Sequence, residues 1–279
     1  MTLKTLIELF IKYFVLLIVI FSFSCSLPAE SVSENFSSDP VWNQAYQENL
    51  NADSVASILK YAENSYVLLD PFSSSEAADA VPVIKSKNNI VSVYISVGTG
   101  EEWRDDFDRI KDSLVSKEWG SWEGEYFVDR ITPELISAMK DRINKAAGWG
   151  ADMVEFDNMD WAFDESARKK YNFHVSVKES LNYVNSLREY AESLGLKCMA
   201  KNMTAGAENF AGVTYESSSS NMDWWDHNDL QSFLDKGKLC VIFHYNERHP
   251  EKAVNYYKSE YGQNLLILVE NRSVKGYLH

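Results

Sequence analysis

The 279-residue chain holds only three cysteines, six prolines and twelve glycines, which excludes a disulfide-stapled scaffold and a collagen-like repeat. No Cys-x-x-Cys or His-Glu-x-x-His pattern occurs among its residues, so no motif-grade zinc site is present. His244 and His249 have no third group at ligand spacing, and no metal is expected. Basic residues are scarce: 27 against 41 acidic ones leave a net charge of −14. Such a chain repels phosphate backbones, which speaks against a nucleic-acid partner, while its field attracts a cationic substrate. Long hydrophobic runs are also missing. The N-terminal one, Tyr13 to Phe23, has 11 residues, short of the about 20 that a transmembrane helix needs. What is there is a 45% hydrophobic composition, enough to bury a full core.

The start of the chain has the form of an export signal. Lys4 and Lys12, with Glu8 between them, precede the apolar run, and the small residues Ser22, Ser24, Cys25 and Ser26 follow it. Residues 1–26 are therefore expected to be a signal peptide or lipoprotein signal, cleaved near Ser24 or Ser26 or lipidated at Cys25. The protein would then be secreted, periplasmic or lipid-anchored at the cell surface, with membrane attachment through Cys25. Residues 27–40 are polar and Ser-rich, as in a flexible tether. The domain proper spans 41–279. Removing 1–26 takes away two Lys and one Glu and leaves −15.

Eight short apolar, β-branched runs recur after Pro40: 41–46, 66–70, 90–97, 152–158, 197–202, 212–217, 239–246 and 265–270. The longer ones are apolar on both faces, as buried parallel strands are. Helical spacing of apolar residues fills 52–64, 133–148, 177–194 and 250–261, with Thr132 placed to cap the second and Leu181, Val184, Leu187, Ala191 and Leu194 lining the third. This pattern predicts an α/β fold, a single (β/α)8 TIM barrel. Only nine residues follow the eighth run, so the eighth helix should be short or missing. Cys198 and Cys240 lie in strand-like runs and are expected as buried thiols.

Barrels of this kind carry their chemistry at the carboxyl ends of the strands. There the sequence places Asp70 after the second run, Glu101 and Arg104 after the third, Asp157 and Asp160 at the fourth, Lys201 and Asn202 at the fifth, Glu216 at the sixth, and His244 and Tyr245 at the seventh. Alternation puts Glu155 on the same face as Asp157, one layer lower, where an inward carboxylate needs a partner. Lys201 is the expected one. Asp70 and Asp160 are candidates for gripping ammonium or hydroxyl groups. Arg104 is a sugar contact or a partner of Glu101. Trp42, Trp103, Trp119, Trp122 and Trp149 are packing groups, of which one or two stack on sugar. Carboxylates on the fourth and sixth strands can face each other across a substrate, as glycoside hydrolysis requires.

The stretches YISVGTGEEWR (94–104), WEGEYFVD (122–129) and GADMVEFDNMD (150–160) resemble the endo-α-1,4-polygalactosaminidase family, glycoside hydrolase family 114. KN (201–202), TYES (214–217) and KGKLCVIFHY (236–245) extend the resemblance over about 42–245. It implies a TIM barrel cleaving α-1,4-linked galactosamine polymers from within, a cationic polysaccharide partner, and no cofactor. It also implies Asp157 as nucleophile and Glu216 as acid/base in a retaining mechanism, with carboxyls about 5–5.5 Å apart. Trp224 and Trp225 are expected to raise the pKa of Glu216. The chain departs from the family pattern at Thr99, where an acid is usual, at Ser217–Ser220, where cysteines are usual, and at His244, where a Glu is usual. A carbohydrate-binding barrel without turnover and a hydrolase for another α-linked sugar stay open as alternatives.

Overall fold

The computed structural model describes residues 41–45, 52–245 and 247–269. The signal segment, the tether and the short eighth helix expected from the sequence lie outside the described residues.

Eight parallel strands form one sheet: β1 (Val41–Ala45), β2 (Ser65–Leu69), β3 (Ile90–Ser96), β6 (Met153–Asp157), β7 (Lys197–Lys201), β8 (Gly212–Ser218), β9 (Leu239–Tyr245) and β10 (Leu266–Val269). They match the eight runs read from the sequence. β1 and β10, the two ends of the sheet, lie alongside each other, so the sheet curls into a barrel. Tyr66, Leu68, Ile90, Tyr94, Met153, Met199, Leu239 and Val241 fill its interior. The opposite faces of the strands pack under the helices, which is why β3 and β6 are buried along their whole length.

The helices follow local chemistry. Thr132 caps α4 (Pro133–Gly148) by accepting from Leu135 N–H, with Pro133 in the first turn. Ser176 and Glu179 form a capping box on α6 (Val177–Ser193), which buries Tyr183, Val184, Leu187 and Ala191. Leu194 falls at the end of α6 and is exposed, so the apolar stripe stops one turn earlier than its spacing predicts. The helices α1 (Ala52–Tyr61) and α8 (Pro250–Tyr261) also stand where the sequence put them. Four others were not read. They are α2 (Ser75–Lys85), with Pro82 in its interior, and the short α3 (Phe107–Ile110), α5 (Glu165–Tyr171) and α7 (His227–Asp235).

Two features depart from a regular eightfold alternation. The connection from β7 to β8, residues 202–211, contains no helix. After β3 the chain makes an antiparallel hairpin, β4 (Thr99–Glu101) with β5 (Glu125–Phe127), which stands on the carboxyl-end face. Cys198 on β7 and Cys240 on β9 are free, buried thiols with β8 between them, and they are also offset along the sheet, since Val213, the β8 partner of Cys240, pairs with Ala200 rather than Cys198.

Candidate active site

Asp157 ends β6, the fourth barrel strand. Its Oδ2 accepts hydrogen bonds from the Tyr94 hydroxyl (2.9 Å) and the Lys201 ammonium (3.0 Å), and its Oδ1 accepts from the Asn158 N–H (2.7 Å). Asn158 takes a left-handed backbone (φ 53°), which turns the chain sharply after the carboxylate. Its amide holds that turn by donating to Ser96 Oγ, Thr99 Oγ1 and Glu125 Oε1 at 3.0–3.3 Å.

Glu216 lies on β8, the sixth barrel strand. Its Oε1 accepts from the Tyr245 hydroxyl (2.5 Å) and sits 3.2 Å from Lys201 Nζ, while its Oε2 accepts from the Asn202 amide (2.9 Å). Asn202 has the same left-handed turn (φ 60°) after β7 and accepts the Glu216 N–H on its own Oδ1 (2.8 Å). Lys201 thus touches both carboxylates, and their facing oxygens are no farther apart than its two contacts together allow, about 6 Å.

The electrostatics of Glu216 differ from expectation. Burial raises its pKa, but the Lys201 charge and the hydrogen bonds from Tyr245, Asn202 and Lys201 outweigh it, and the net direction is down. The Trp224 indole N–H donates to the backbone carbonyl of Glu216 (2.8 Å). Trp225 turns inward and stacks on Tyr215.

Glu155 is fully buried one layer below Asp157, as alternation predicts. The register pairs it with Met199, so the Lys201 ammonium makes contacts above it, with Asp157 and Glu216, and acts on Glu155 through its charge. Burial pushes the Glu155 carboxyl up to about 7, against the Lys201 charge and the Thr214 hydroxyl, which lower it. Asp160 opens a short helical turn without capping it by its side chain. Burial first, and then the nearby Asp157 charge, push its carboxyl up to about 7. It is a third acid beside the pair.

Arg104 is the partner of Glu101, one of its two expected roles, and Asp70 joins the same network. Arg104 binds Asp70 through both oxygens at 2.8 Å and Glu101 through both oxygens at 2.8 Å, and Arg142 adds a 3.2 Å contact to Glu101. All four are buried, so Asp70, Glu101 and Arg104 brace the hairpin to β2 rather than face a ligand. His244 is fully buried on the outer face of β9, because it alternates with Tyr245. Its Nδ1 meets the Tyr257 hydroxyl at 3.0 Å and its Nε2 lies 3.5 Å from Glu247. The departure at His244 therefore points away from the pocket. The same Tyr257 hydroxyl bonds Ser217 (2.6 Å), and Ser219 bonds Glu247, so the serine run is tied to the wall by hydrogen bonds. No group of three or more His, Cys, Asp or Glu among the described residues is arranged to hold a metal ion.

The model of the glycoside-hydrolase family GH114 matches residues 31–279. The chain belongs to this family. Among solved structures, the GH114 chain is similar to Ega3 of Aspergillus fumigatus in complex with galactosamine, at 18% identity and a TM-score of 0.66, covering 88% of this chain and 96% of that one. It is also similar to the glycoside hydrolase domain of PelA from Pseudomonas aeruginosa, at 14% identity and a TM-score of 0.60, covering 84% and 94%. At these identities the likeness shows a shared barrel. No curated protein sequence matches the chain.

Within the GH114 site, two residues escaped the sequence reading. Tyr94 was passed over because it lies inside an apolar run, yet its hydroxyl is bonded to Asp157. Glu125 comes from β5 and accepts from Thr99 and Asn158, putting an acid beside the position where Thr99 departs from the family pattern. Burial pushes its carboxyl up to about 8. The family-like stretch 122–129 contains Glu125, and the hairpin brings it to the site.

Proposed function

We propose that this GH114 glycoside hydrolase is exported and cleaves an α-1,4-linked galactosamine-type polysaccharide from within, with retention. The observation that carries the reading is the pair Asp157 and Glu216, on the fourth and sixth barrel strands, held at short separation by Lys201. Asp157, surrounded by donors, attacks the anomeric carbon as the glycosidic bond breaks. Glu216 gives its proton to the leaving oxygen. Water then attacks the glycosyl-enzyme, returning a proton to Glu216 and freeing Asp157. Because Glu216 is held below the usual carboxylate range, its protonated fraction grows as the pH falls, and the reaction runs best in acid.

Asp160, with no side-chain cap to make, is available for a substrate ammonium, and Tyr245 and Asn202 orient Glu216. The net charge of −14 favours a cationic polymer. The galactosamine bound to the Aspergillus fumigatus structure agrees with an amino-sugar substrate. The leader-like residues 1–26 support export, and Cys25 lipid anchoring; the mass of the mature N-terminus distinguishes cleavage from lipidation.

The test is endo-cleavage of deacetylated α-1,4-polygalactosamine by the purified protein, beside Asp157→Asn and Glu216→Gln. Cleavage that falls about 10³-fold or more in both variants supports the mechanism. Binding without cleavage by the wild type returns the reading to a sugar-binding barrel, and cleavage only of another α-linked polymer changes the substrate.

A further inference from the structure

Seven large apolar side chains stand exposed among the described residues: Tyr61, Val83, Trp103, Trp122, Phe163, Leu194 and Trp224. Tyr61, Val83 and Leu194 lie on helices or at a helix end, on the barrel's outside. The other four are aromatic, and all lie on connections that leave the carboxyl ends of barrel strands, the face that carries Asp157 and Glu216. Trp103 and Trp122, 50% and 48% exposed, belong to the β4–β5 hairpin.

The hairpin is a fixed support. Glu101 is locked beneath it by Arg104 and Arg142. The Glu102 N–H donates to the Gly124 carbonyl (2.8 Å), and the Tyr126 hydroxyl donates to the Glu102 carboxylate (2.8 Å). Gly124 has a positive φ (76°), and a Cβ there would come 3.4 Å from the Trp103 ring, so that indole lies close against the turn. The side chains beside the two indoles are acidic: Glu102, Asp105 and Glu123 are all exposed. Exposed indoles on a rigid support, rimmed by carboxylates, are a recognition surface and not core packing. Its chemistry fits a ring with an apolar C–H face and a positive charge, since the indole face attracts cations as well as apolar surface.

We propose that the hairpin is a distal platform for the substrate polymer: Trp103 and Trp122 stack on amino-sugar units beyond those at the catalytic pair, and Glu102 and Glu123 pair with their ammonium groups. This rests on the amino-sugar reading above. The platform holds a chain several units long while only one bond is cleaved, so its contribution grows with chain length.

The experiment uses the full-length protein, Trp103→Ala/Trp122→Ala and Glu102→Gln/Glu123→Gln, with thermal unfolding to confirm that the exposed substitutions leave the fold intact. On deacetylated polymer, kcat/KM is expected to fall about 10-fold in the tryptophan variant. On the shortest oligomer that is cleaved it should change less than about 2-fold. Raising the salt concentration should weaken the wild type on polymer and affect the glutamine variant much less. Wild-type cleavage with the same chain-length dependence in the tryptophan variant overturns the platform and leaves the proposed function standing. If the wild type cleaves nothing, the proposed function fails and direct titration of the polymer decides the platform. Binding lost in the tryptophan variant supports it; equal binding, or none by the wild type, overturns it.

Discussion

The ammonium of Lys201 lies 3.0 Å from the Asp157 carboxylate on a side chain that is 3% exposed, so a buried cation stands beside the nucleophile candidate. The same nitrogen is 3.2 Å from Glu216. Lys201→Met leaves the two carboxylates facing each other without that shared cation. Breaking a buried pair in this way costs about 3–5 kcal/mol. We expect a urea midpoint lowered accordingly and kcat down by about 100-fold or more. Turnover within about 10-fold of wild type would make the lysine a structural brace only.

Tyr245 tunes the proposed acid, Glu216. Its hydroxyl donates to Glu216 and stabilises the ionised form, which lowers the pKa. Tyr245→Phe removes that donor, so the pKa of Glu216 rises. In the pH profile of kcat/KM, the limb on which activity falls as Glu216 loses its proton should move to higher pH. An unmoved limb would assign it to another group.

Stability should fall as the pH rises from about 4 to 8. Glu125 and Glu155 are pushed up to about 8 and about 7, chiefly by burial, against about 4.3 in an unfolded chain. Between those values the folded protein holds protons that the unfolded chain has lost, so each group removes about 1.4 kcal/mol per pH unit. Glu216, with its lowered pKa, works in the opposite sense, its contribution being lost as the pH falls below about 4. Thermal unfolding of Glu155→Gln at pH 5 and pH 8 should show a smaller drop than the wild type. An equal drop would mean that Glu155 does not hold its proton.

Arg104→Met is expected to loosen the hairpin. It leaves Asp70 and Glu101, both buried, without their bidentate partner. The unfolding free energy should fall by about 3–5 kcal/mol. Arg104→Lys should recover only part of this, because a point charge cannot replace the planar fork that reaches both carboxylates. Full recovery by lysine would reduce the network to simple charge balance.

The fold was legible where one local signal sufficed. Strands buried on both faces, such as Ile90–Ser96, read directly as apolar runs, and Thr132-Pro133 marked a helix start. It was not legible where the signal was short or mixed. Helix α2 carries Pro82 and small residues, and the strands of the hairpin are three residues long and make sense only as a pair. In the site, Asp157, Glu216, Lys201, Asn202 and Tyr245 converge as their strand-end positions foretold. His244 did not, because neighbouring residues on a strand point to opposite faces and only one of His244 and Tyr245 faces inward. Arg104 pairs with Glu101 three residues away, as one of its two readings had it, but its second partner, Asp70, is distant in sequence and strand-end position alone does not reveal it.

Cys198 and Cys240 stand on strands with a third strand between them and are offset along them, so their backbones are more than about 10 Å apart, beyond the about 7 Å that a bridge tolerates. Burial also pushes the Cys240 thiol up to about 12, so it stays protonated and unreactive. The barrel is thus indifferent to the redox potential of the compartment it works in. An oxidising space offers it no cross-link to gain, and a reducing one has none to remove.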